Sequence, residues 1–218
     1  MPGDAQFGGV PSTVVHLAVA ALLAAALLGP HFDHRSLAVV LAATAVPDLD
    51  TFLGMVVQGT HRAALHTLLV PLTVAVLVVW DTRYRERSFL RQYGDRGVLV
   101  AWVAVAAYLL AGIGPDLFFN GVNVLYPVVD RFVELNGEVY LSNTQGLVQT
   151  VWTFEGDATP MMGTTETTHY QTGVDPTRGA DPADAERLFP VAMSGLQLLL
   201  ILTALVVTPV RLWLAERA

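Results

Sequence analysis

The chain has 218 residues, of which 53% are hydrophobic and only 14% are charged, and its formal net charge is -7. Because soluble domains carry about 25% charged residues, this composition is typical of a membrane protein. The sequence has no cysteine, which excludes a disulfide framework and a thiolate metal site and leaves His, Asp and Glu as candidate metal ligands. All twelve basic residues are arginine, and an acidic chain without lysine resembles the proteins of salt-adapted organisms.

Several apolar segments are long enough to cross a hydrocarbon core, which needs roughly 17 to 25 helical residues. Five spans are predicted, near residues 12–29, 36–58, 63–80, 97–119 and 190–210. The first segment has no basic region before it and no small-residue cleavage site after it, so we interpret it as a retained span. The predicted fold class is therefore an all-α multi-pass membrane protein with about five transmembrane helices.

The distribution of arginine predicts the orientation of these spans. Residues 81–97, between the third and fourth spans, carry five arginines, which the positive-inside rule places in the cytoplasm. The short loop around Arg35 and the tail at 211–217 fall on the same side when five spans alternate. We therefore expect a plasma-membrane protein with its N-terminus outside and its C-terminus in the cytoplasm.

Residues 120–189 form a long segment on the predicted outer side, with ten acidic residues against three arginines. Within it, "EVYLS" (138–142) and "GLVQTVWTF" (146–154) are rich in β-branched and aromatic residues, which predicts a small hairpin. Asp181 and Pro182 form a plausible N-cap and first residue of a short helix before the last span. The predicted organisation is a transmembrane bundle that carries the polar site, an acidic extracytoplasmic segment, and a last helix with its tail, at residues 1–119, 120–189 and 190–218.

Ionisable residues from four spans reach one layer of the membrane. With a rise of about 1.5 Å per residue, four of them lie in the outer half, roughly 18 to 28 Å from the cytoplasmic ends: His16, Asp48, His66 and Asp116. Asp50 lies just beyond Asp48, and His61 and Arg62 open the third span from outside. A charged residue at a helix centre costs roughly 2.5 to 3.5 kcal/mol, so intramembrane acids are functional candidates by default.

Each of these residues also has an ordinary structural explanation. His16 is near a helix end, where a histidine commonly forms hydrogen bonds at the interface. Asp48 and Asp50 could cap a half-helix after Pro47, and Asp116 could be an interfacial turn residue. It is the position of the whole set in one layer that favours a polar site.

The spacing of the acids and histidines predicts irregular backbone. In a regular helix Asp48 and Asp50 would point about 200° apart, so both can face one site only if the helix breaks, as Pro47 allows. Such a break is tolerated within the membrane only where protein or water covers it. His61 and His66 are about 140° apart on a helix, so if both are ligands His61 must lie before the helix proper or in its frayed first turn.

Asp and neutral His without Cys form a ligand set that suits a divalent cation, with Zn²⁺ or Mn²⁺ expected. Such a cation would offset the carboxylate charges and could lower the pKa of a bound water to about 7. Arg62 could then hold a phosphate or carboxylate group of the substrate. The predicted catalytic residues are Asp48 and Arg62.

Four motifs in this order resemble a known family: His16 in "VVHLAVA", "PDLD" (47–50), "HRAALHT" (61–67) and "GPDLFFNGVNVLYP" (114–127). The chain is similar to the YdjM/YbcI-like inner-membrane metal-dependent hydrolases, which have an N-terminal His, P-D-[IL]-D, H-R-G-x-T-H-S, and S-H-x-x-x-D before a G-V-x-x-x-x-P run. The likeness covers roughly residues 10–130. It implies metal-dependent hydrolysis at the membrane, with six residues in ligand or catalytic positions: His16, Asp48, Asp50, His61, His66 and Asp116.

The chain departs from the family pattern at three positions. Gly112 stands where the family has a histidine four residues before the last aspartate, so one expected ligand is missing. Ala63 replaces the glycine of H-R-G, and Leu65 replaces the following threonine. His169 or a glutamate of the outer segment could substitute for the missing histidine.

These observations leave three functions open. The leading hypothesis is a hydrolase of an ester or phosphoester near the outer membrane face, whose small-molecule or lipid substrate arrives from the lipid or envelope side. An ion-coupled transporter is the second, although the absence of a visible inverted repeat argues mildly against it. The third is a non-catalytic scaffold with a degenerate site, which Gly112 favours. The lipid bilayer is the expected partner, and no nucleic acid is expected.

Overall fold

The structure is a computed structural model, and it describes residues 11–135, 137–151, 161–170, 173–174 and 187–217. Two of its helices are long and apolar enough to cross a membrane, the continuous helix Arg91–Phe119 and the helix Gly195–Ala215. A helix pair bent by 43°, His34–Ala45 with Pro47–Gly54, is a third candidate. The chain is thus a mostly helical membrane protein with two or three candidate spans, and the five predicted spans are not confirmed.

The first two helices begin at side-chain caps. Helix α1 (Thr13–Leu27) begins after Ser12, whose hydroxyl accepts a hydrogen bond from the Val15 amide. Helix α2 (His34–Ala45) begins after Asp33, whose carboxylate accepts one from the Ser36 amide at 2.8 Å. Each cap satisfies an amide that has no partner within its helix. With 15 residues, α1 is shorter than the roughly 20 that usually span a bilayer, and its predicted span 12–29 is correspondingly shortened.

A helix break follows α2, as Pro47 predicts. Helix α2 ends at Ala45, residues Pro47–Leu49 form a 3-10 turn, and the short helix α3 (Asp50–Gly54) continues in a new direction. Proline has no amide hydrogen and its ring collides with the preceding turn, so a regular helix cannot continue through it. The break places Asp48 in the 3-10 turn and Asp50 at the start of α3.

Helix α4 (Leu69–Arg83) begins later than the predicted span at 63–80. Residues 60–67 form turns, and Arg62 has a positive φ of 60°. The backbone there is held by residues that follow the long helix, because the Asn123 amide donates to the Arg62 carbonyl and the Leu68 amide to the Val124 carbonyl, both at 2.9 Å. These tertiary hydrogen bonds override the helical tendency of the segment.

The long helix contains a change of winding. Helix α5 (Gly94–Ala107) follows a 3-10 turn (Arg91–Tyr93), passes into a π-helical segment (Tyr108–Ile113), and ends as α6 (Gly114–Phe119). Pro115 cannot donate to the carbonyl one turn earlier, so the regular hydrogen-bond ladder is interrupted beside the π-helical segment. π-Helical turns are frequent at functional sites.

The helices pack around α1. Helix α7 (Gly195–Ala215), α2 and the long helix all contact it, and small buried side chains such as Ala20 and Ala24 let their backbones approach closely. Outward-facing apolar side chains are exposed in the isolated chain, among them Leu72 on α4 and Leu205 on α7. Exposed apolar surface of this kind fits contact with lipid.

The outer segment carries short strands. Strands β2 (Val139–Ser142) and β3 (Gly146–Gln149) form an antiparallel hairpin, which confirms the prediction over these residues. Strand β1 (Phe132–Val133) pairs with β4 (Met161–Gly163). Residues 152–154 of the predicted second strand, and the predicted helix start at Asp181 and Pro182, lie outside the described residues.

Candidate metal centre

Histidine and aspartate side chains converge where α1 begins and α2 ends. His16 lies on α1, Asp48 in the turn after α2, and Asp116 on α6. Asp50 begins α3, and His61 and His66 lie in the turns before α4. The structure therefore brings together the six side chains that the sequence singled out, from elements far apart in the chain.

Three of these side chains form a group whose potential ligand atoms all lie within 4.8 Å of one another: His16, Asp48 and Asp116. The ring nitrogens of His16 are 3.4 Å from Asp48 Oδ1 and 3.6 Å from Asp116 Oδ2. His66 Nε2 joins them, at 3.1 Å from Asp116 Oδ2 and 3.7 Å from Asp48 Oδ1. Ligand atoms about 2.0 to 2.2 Å from a tetrahedral ion are about 3.3 to 3.6 Å apart, so the separations of His16 from the two carboxylates are of the size that a small divalent cation requires. The two distances belong to different ring nitrogens, Nδ1 and Nε2, so His16 can offer one of them to an ion.

Unpartnered nitrogen atoms provide a second observation. Both ring nitrogens of His16 and Nε2 of His61 are buried and have no hydrogen-bond partner. His16 is only 1% exposed, so water is not a ready substitute. Buried polar atoms are nearly always satisfied. A cation held by His16 and the two adjacent carboxylates would satisfy one of its nitrogen atoms, and the residues present therefore fit such a group.

The Asp50 carboxylate contacts the Nδ1 atoms of His66 and His61. Its Oδ2 is 2.8 Å from His66 Nδ1 and its Oδ1 is 3.0 Å from His61 Nδ1. The Thr51 hydroxyl is 2.9 Å from the same His61 nitrogen, and the Leu65 amide donates to Asp50 Oδ2 at 3.4 Å. A neutral His66 that donates its Nδ1 hydrogen to Asp50 turns the lone pair of Nε2 towards Asp116. This is the arrangement of a carboxylate that orients a metal-binding histidine.

The Arg62 guanidinium forms an ion pair and a cation–π contact within the protein. Its Nη2 is 3.0 Å from Asp116 Oδ1, and its side chain is only 6% exposed. The guanidinium carbon also lies 4.6 Å from the centre of the Tyr170 ring. Arg62 therefore compensates part of the charge of Asp116, which sequence reasoning did not foresee when it assigned Arg62 to the substrate.

Asp48 marks the accessible edge of the group. Its side chain is 20% exposed, whereas those of His66 and Asp116 are 0% and 3% exposed. The Thr13 hydroxyl donates to its Oδ2. Leu49 and Phe52, in the adjacent turn and helix, are exposed apolar side chains. The opening of the site is thus bordered by surface that fits lipid.

A comparison with protein families identifies the family of the chain. The family model described as YdjM inner membrane protein matches residues 12–173. The chain belongs to the YdjM family. No curated protein and no solved structure matches the chain. The likeness drawn from the sequence motifs is confirmed, and the YdjM match reaches beyond residue 130 into the outer segment.

Residues of that outer segment lie beside His61 and Arg62 in this YdjM protein, and sequence reasoning missed them. The Asp130 carboxylate accepts hydrogen bonds from the Asn123 amide group at 2.7 Å and from the Thr165 hydroxyl at 2.7 Å. Burial raises the pKa of Asp130, but the hydrogen bonds from Thr165 and Asn123 outweigh burial and hold that pKa below its usual value. Burial also raises the pKa of Tyr170 to about 12. In the sequence, the threonine-rich run "TTETTHY" (164–170) is the feature that could have indicated these contacts.

Position 112 is one of the three departures from the motif pattern, the one at which a predicted ligand is missing. A Cβ added to Gly112 would lie 3.0 Å from Pro47 Cγ and 3.1 Å from the Thr44 carbonyl oxygen. The long helix and the break after α2 therefore meet where the family histidine would stand. His169, considered as a substitute, is not among the three residues of the group around His16.

This contact predicts the effect of a single added methyl. Gly112→Ala must push Pro47 or Thr44 away, which costs about 1 to 3 kcal/mol and outweighs the gain of about 1 kcal/mol in helix propensity. Gly195→Ala is the matched control, because nothing lies within 4 Å of its added Cβ. We expect thermal unfolding in detergent to show a lower Tm for Gly112→Ala and an unchanged or higher Tm for Gly195→Ala. Equal Tm values would contradict the close packing.

Proposed function

We propose that this YdjM protein is a membrane-embedded, metal-dependent hydrolase of an ester or phosphoester near the outer membrane face. The observation that carries the proposal is the convergence of His16, Asp48 and Asp116, in which the buried nitrogens of His16 face the two carboxylates at 3.4 and 3.6 Å without forming a hydrogen bond. His66 completes a set of two histidines and two carboxylates. This mixed set fits Zn²⁺ or Mn²⁺.

The charge of the cluster supports a divalent cation. The cluster holds three carboxylates, those of Asp48, Asp50 and Asp116, and only Asp116 pairs with a guanidinium, that of Arg62. With neutral histidines, two negative charges remain uncompensated in a largely buried cluster. Burying uncompensated charge is costly, so a cation of charge two restores the balance.

The side chains around the group have distinct proposed roles. A bound divalent cation would polarise a substrate oxygen and increase the acidity of a water. Asp48, at the accessible edge, would accept a proton from a water that enters the site. Asp50 would hold His66 and His61 in their orientations. Arg62, buried against Asp116, would balance the charge of that carboxylate.

We also propose the topology that the arginines indicate, with five membrane segments, the N-terminus outside and the C-terminus cytoplasmic. The site lies where α1 begins, α2 ends and the long helix ends, which fits segments that alternate in direction. Residues 120–189 follow the site end of the long helix and would lie on the outer side. Residues 1–119 and 190–218 would form the membrane bundle and the cytoplasmic tail.

Hydrolysis of chromogenic esters tests the proposal. Purified protein in detergent is treated with EDTA, reloaded with Zn²⁺ or Mn²⁺, and assayed with bis(p-nitrophenyl) phosphate and p-nitrophenyl acetate. We expect metal-dependent release of p-nitrophenol that falls at least about 100-fold in His16→Ala, since even residues behind the ligands typically contribute 10- to 100-fold. His34→Ala is the matched control, because His34 is 72% exposed and distant from the group. Turnover that survives EDTA would contradict a metal-dependent reaction.

An ion-coupled transporter is the second candidate, and the 43° break after α2 is the observation that favours it. Broken helices beside intramembrane acids are typical of transporters. A liposome flux assay with protons or Mn²⁺ separates the two functions, because a hydrolase should give no flux. Metal binding with neither flux nor turnover would indicate a scaffold.

A further inference from the structure

We propose that the outer segment completes the metal centre, and that Tyr170 is a positioning residue that holds Arg62 against Asp116. The consequence for catalysis depends on the proposed function, but the positioning itself does not. Residues of the outer segment would then stabilise the metal site, and the segment would not be a separate extracytoplasmic domain.

Tyr170 contacts Arg62 through its ring. The guanidinium carbon of Arg62 lies 4.6 Å from the ring centre, a distance at which a cation is attracted to the face of an aromatic ring. The attraction is stronger away from water, and Arg62 is only 5% exposed. The same ring meets the His61 ring edge to face at 6.0 Å. One tyrosine of the outer segment therefore touches two residues of the "HRAALHT" motif.

Tyr170 also contacts the end of the helix that carries Asp116. Its hydroxyl donates to the Asn120 carbonyl at 2.7 Å and lies 3.2 Å from the Gly121 carbonyl. The amides of Asn120 and Gly121 in turn donate to the Asp116 carbonyl, at 3.0 and 2.8 Å. Tyr170 thus bridges the two partners of the Arg62–Asp116 ion pair, through its ring on one side and its hydroxyl on the other.

The Asn120 side chain adds to this bridge. With its amide turned so that both ends are satisfied, its oxygen accepts from Arg62 Nη1 at 3.2 Å and its nitrogen donates to the Phe119 carbonyl. The guanidinium of Arg62 is then held by Asp116, Asn120 and the Tyr170 ring together. These three contacts restrict movement of the Arg62 side chain away from Asp116.

The backbone of the arginine turn is fixed by the same outer segment. The Arg62 carbonyl accepts from the Asn123 amide at 2.9 Å, and the Asn123 side chain donates to Asp130 at 2.7 Å. Asp130 also accepts from the Thr165 amide and hydroxyl, at 3.0 and 2.7 Å. Gly59 lies directly under Thr165, since a Cβ at position 59 would be 1.9 Å from the Thr165 carbonyl oxygen. Two separate contacts therefore dock the outer segment on residues 59–62.

The test compares Tyr170→Phe, which keeps the ring, with Tyr170→Leu, which removes it. Tyr140→Leu is the control, because Tyr140 is a half-exposed tyrosine on β2 of the same outer segment. The first readout is the ¹H–¹⁵N spectrum of the arginine guanidinium groups in metal-free protein, with the Arg62 signal assigned by Arg62→Lys. A guanidinium over a ring face should give an upfield-shifted signal in the wild type, in Tyr170→Phe and in Tyr140→Leu, and that shift should vanish in Tyr170→Leu.

The second readout is the affinity for Mn²⁺ alone, measured by calorimetry. Arg62 lies behind the candidate ligand Asp116, and residues in that position contribute about 10- to 100-fold to affinity, so we expect loss of the Tyr170 ring to raise the Kd by up to about 10-fold and Tyr140→Leu to leave it unchanged. An unshifted Arg62 signal in the wild type would overturn the proposal, even if Tyr170→Leu does not fold. An Arg62 signal that stays shifted in Tyr170→Leu would overturn it as well. Loss of hydrolysis alone, with the shifted signal intact, would contradict the proposed function and not this inference.

Discussion

Replacing Asp50 by asparagine is expected to destabilise the metal-free protein by about 1 to 3 kcal/mol, the usual cost of leaving a buried hydrogen-bonding group without its partner. Asp50 is fully buried, and its two oxygens lie 2.8 Å from His66 and 3.0 Å from His61. Asparagine has nearly the same shape but offers one oxygen and an NH₂ group. One of the two histidines therefore loses its acceptor.

The same change is expected to weaken metal binding by about 10- to 100-fold, because His66 loses the carboxylate that turns Nε2 towards Asp116 and Asp48. Chemical denaturation in detergent measures the stability, and Mn²⁺ calorimetry measures the affinity. The matched control is Asp33→Asn. Asp33 Oδ1 forms an ion pair with Arg96 Nη2 at 2.8 Å, and the Asp33 side chain is 42% exposed.

An exposed ion pair contributes about 0 to 1 kcal/mol, and asparagine caps a helix as well as aspartate does. Asp33→Asn should therefore change stability by less than about 1 kcal/mol and leave the Mn²⁺ affinity unchanged. Equal effects of the two variants would show that Asp50 does not organise the histidines.

Replacing His16 by alanine is expected to have the largest effect on metal binding. His16 is the member of the group whose ring nitrogens both lack a hydrogen-bond partner, so a ligand that the protein itself does not supply best explains this buried side chain. Removing it takes away one of four candidate donors. We expect the Mn²⁺ or Zn²⁺ Kd to rise at least about 100-fold, beyond the range typical of residues behind the ligands.

Calorimetry on His16→Ala and on the exposed control His34→Ala measures this difference. The control should bind metal as the wild type does. A His16→Ala protein that is folded by circular dichroism and binds metal with unchanged affinity would remove His16 from the site. The remaining donors, Asp48, His66 and Asp116, would then have to hold the ion without it.

Helix geometry explains why much of the site could be predicted from the sequence. A constant rise per residue fixes the depth of each polar side chain once a span is placed, so His16, Asp48, His66 and Asp116 could be put in one layer. The angular spacing of Asp48 and Asp50 required a break, and Pro47 supplied it. The five-residue spacing of the two histidines placed His61 before the helix or in its first turn, whereas His66, expected within the span, also lies in the turns before α4.

The same reasoning could not predict contacts that depend on tertiary structure. Which way Asp50 points is decided by the rotation of α3 after the break, so its place behind His66 and His61 was not predictable from spacing. The contacts of Tyr170 with Arg62 join residues far apart in the sequence. The late start of α4 has a similar cause, since hydrogen bonds from residues 123 and 124 hold the preceding turns.

Metal content of the purified protein tests the central claim most directly. The protein is incubated with Zn²⁺ or Mn²⁺, freed of unbound ions, and analysed by inductively coupled plasma mass spectrometry beside Asp48→Ala and His66→Ala. We predict about one divalent ion per chain in the intact protein and a much lower content in both variants, because each change removes one of the donors around His16. A metal content near zero in the intact, folded protein would contradict a metal centre at this site.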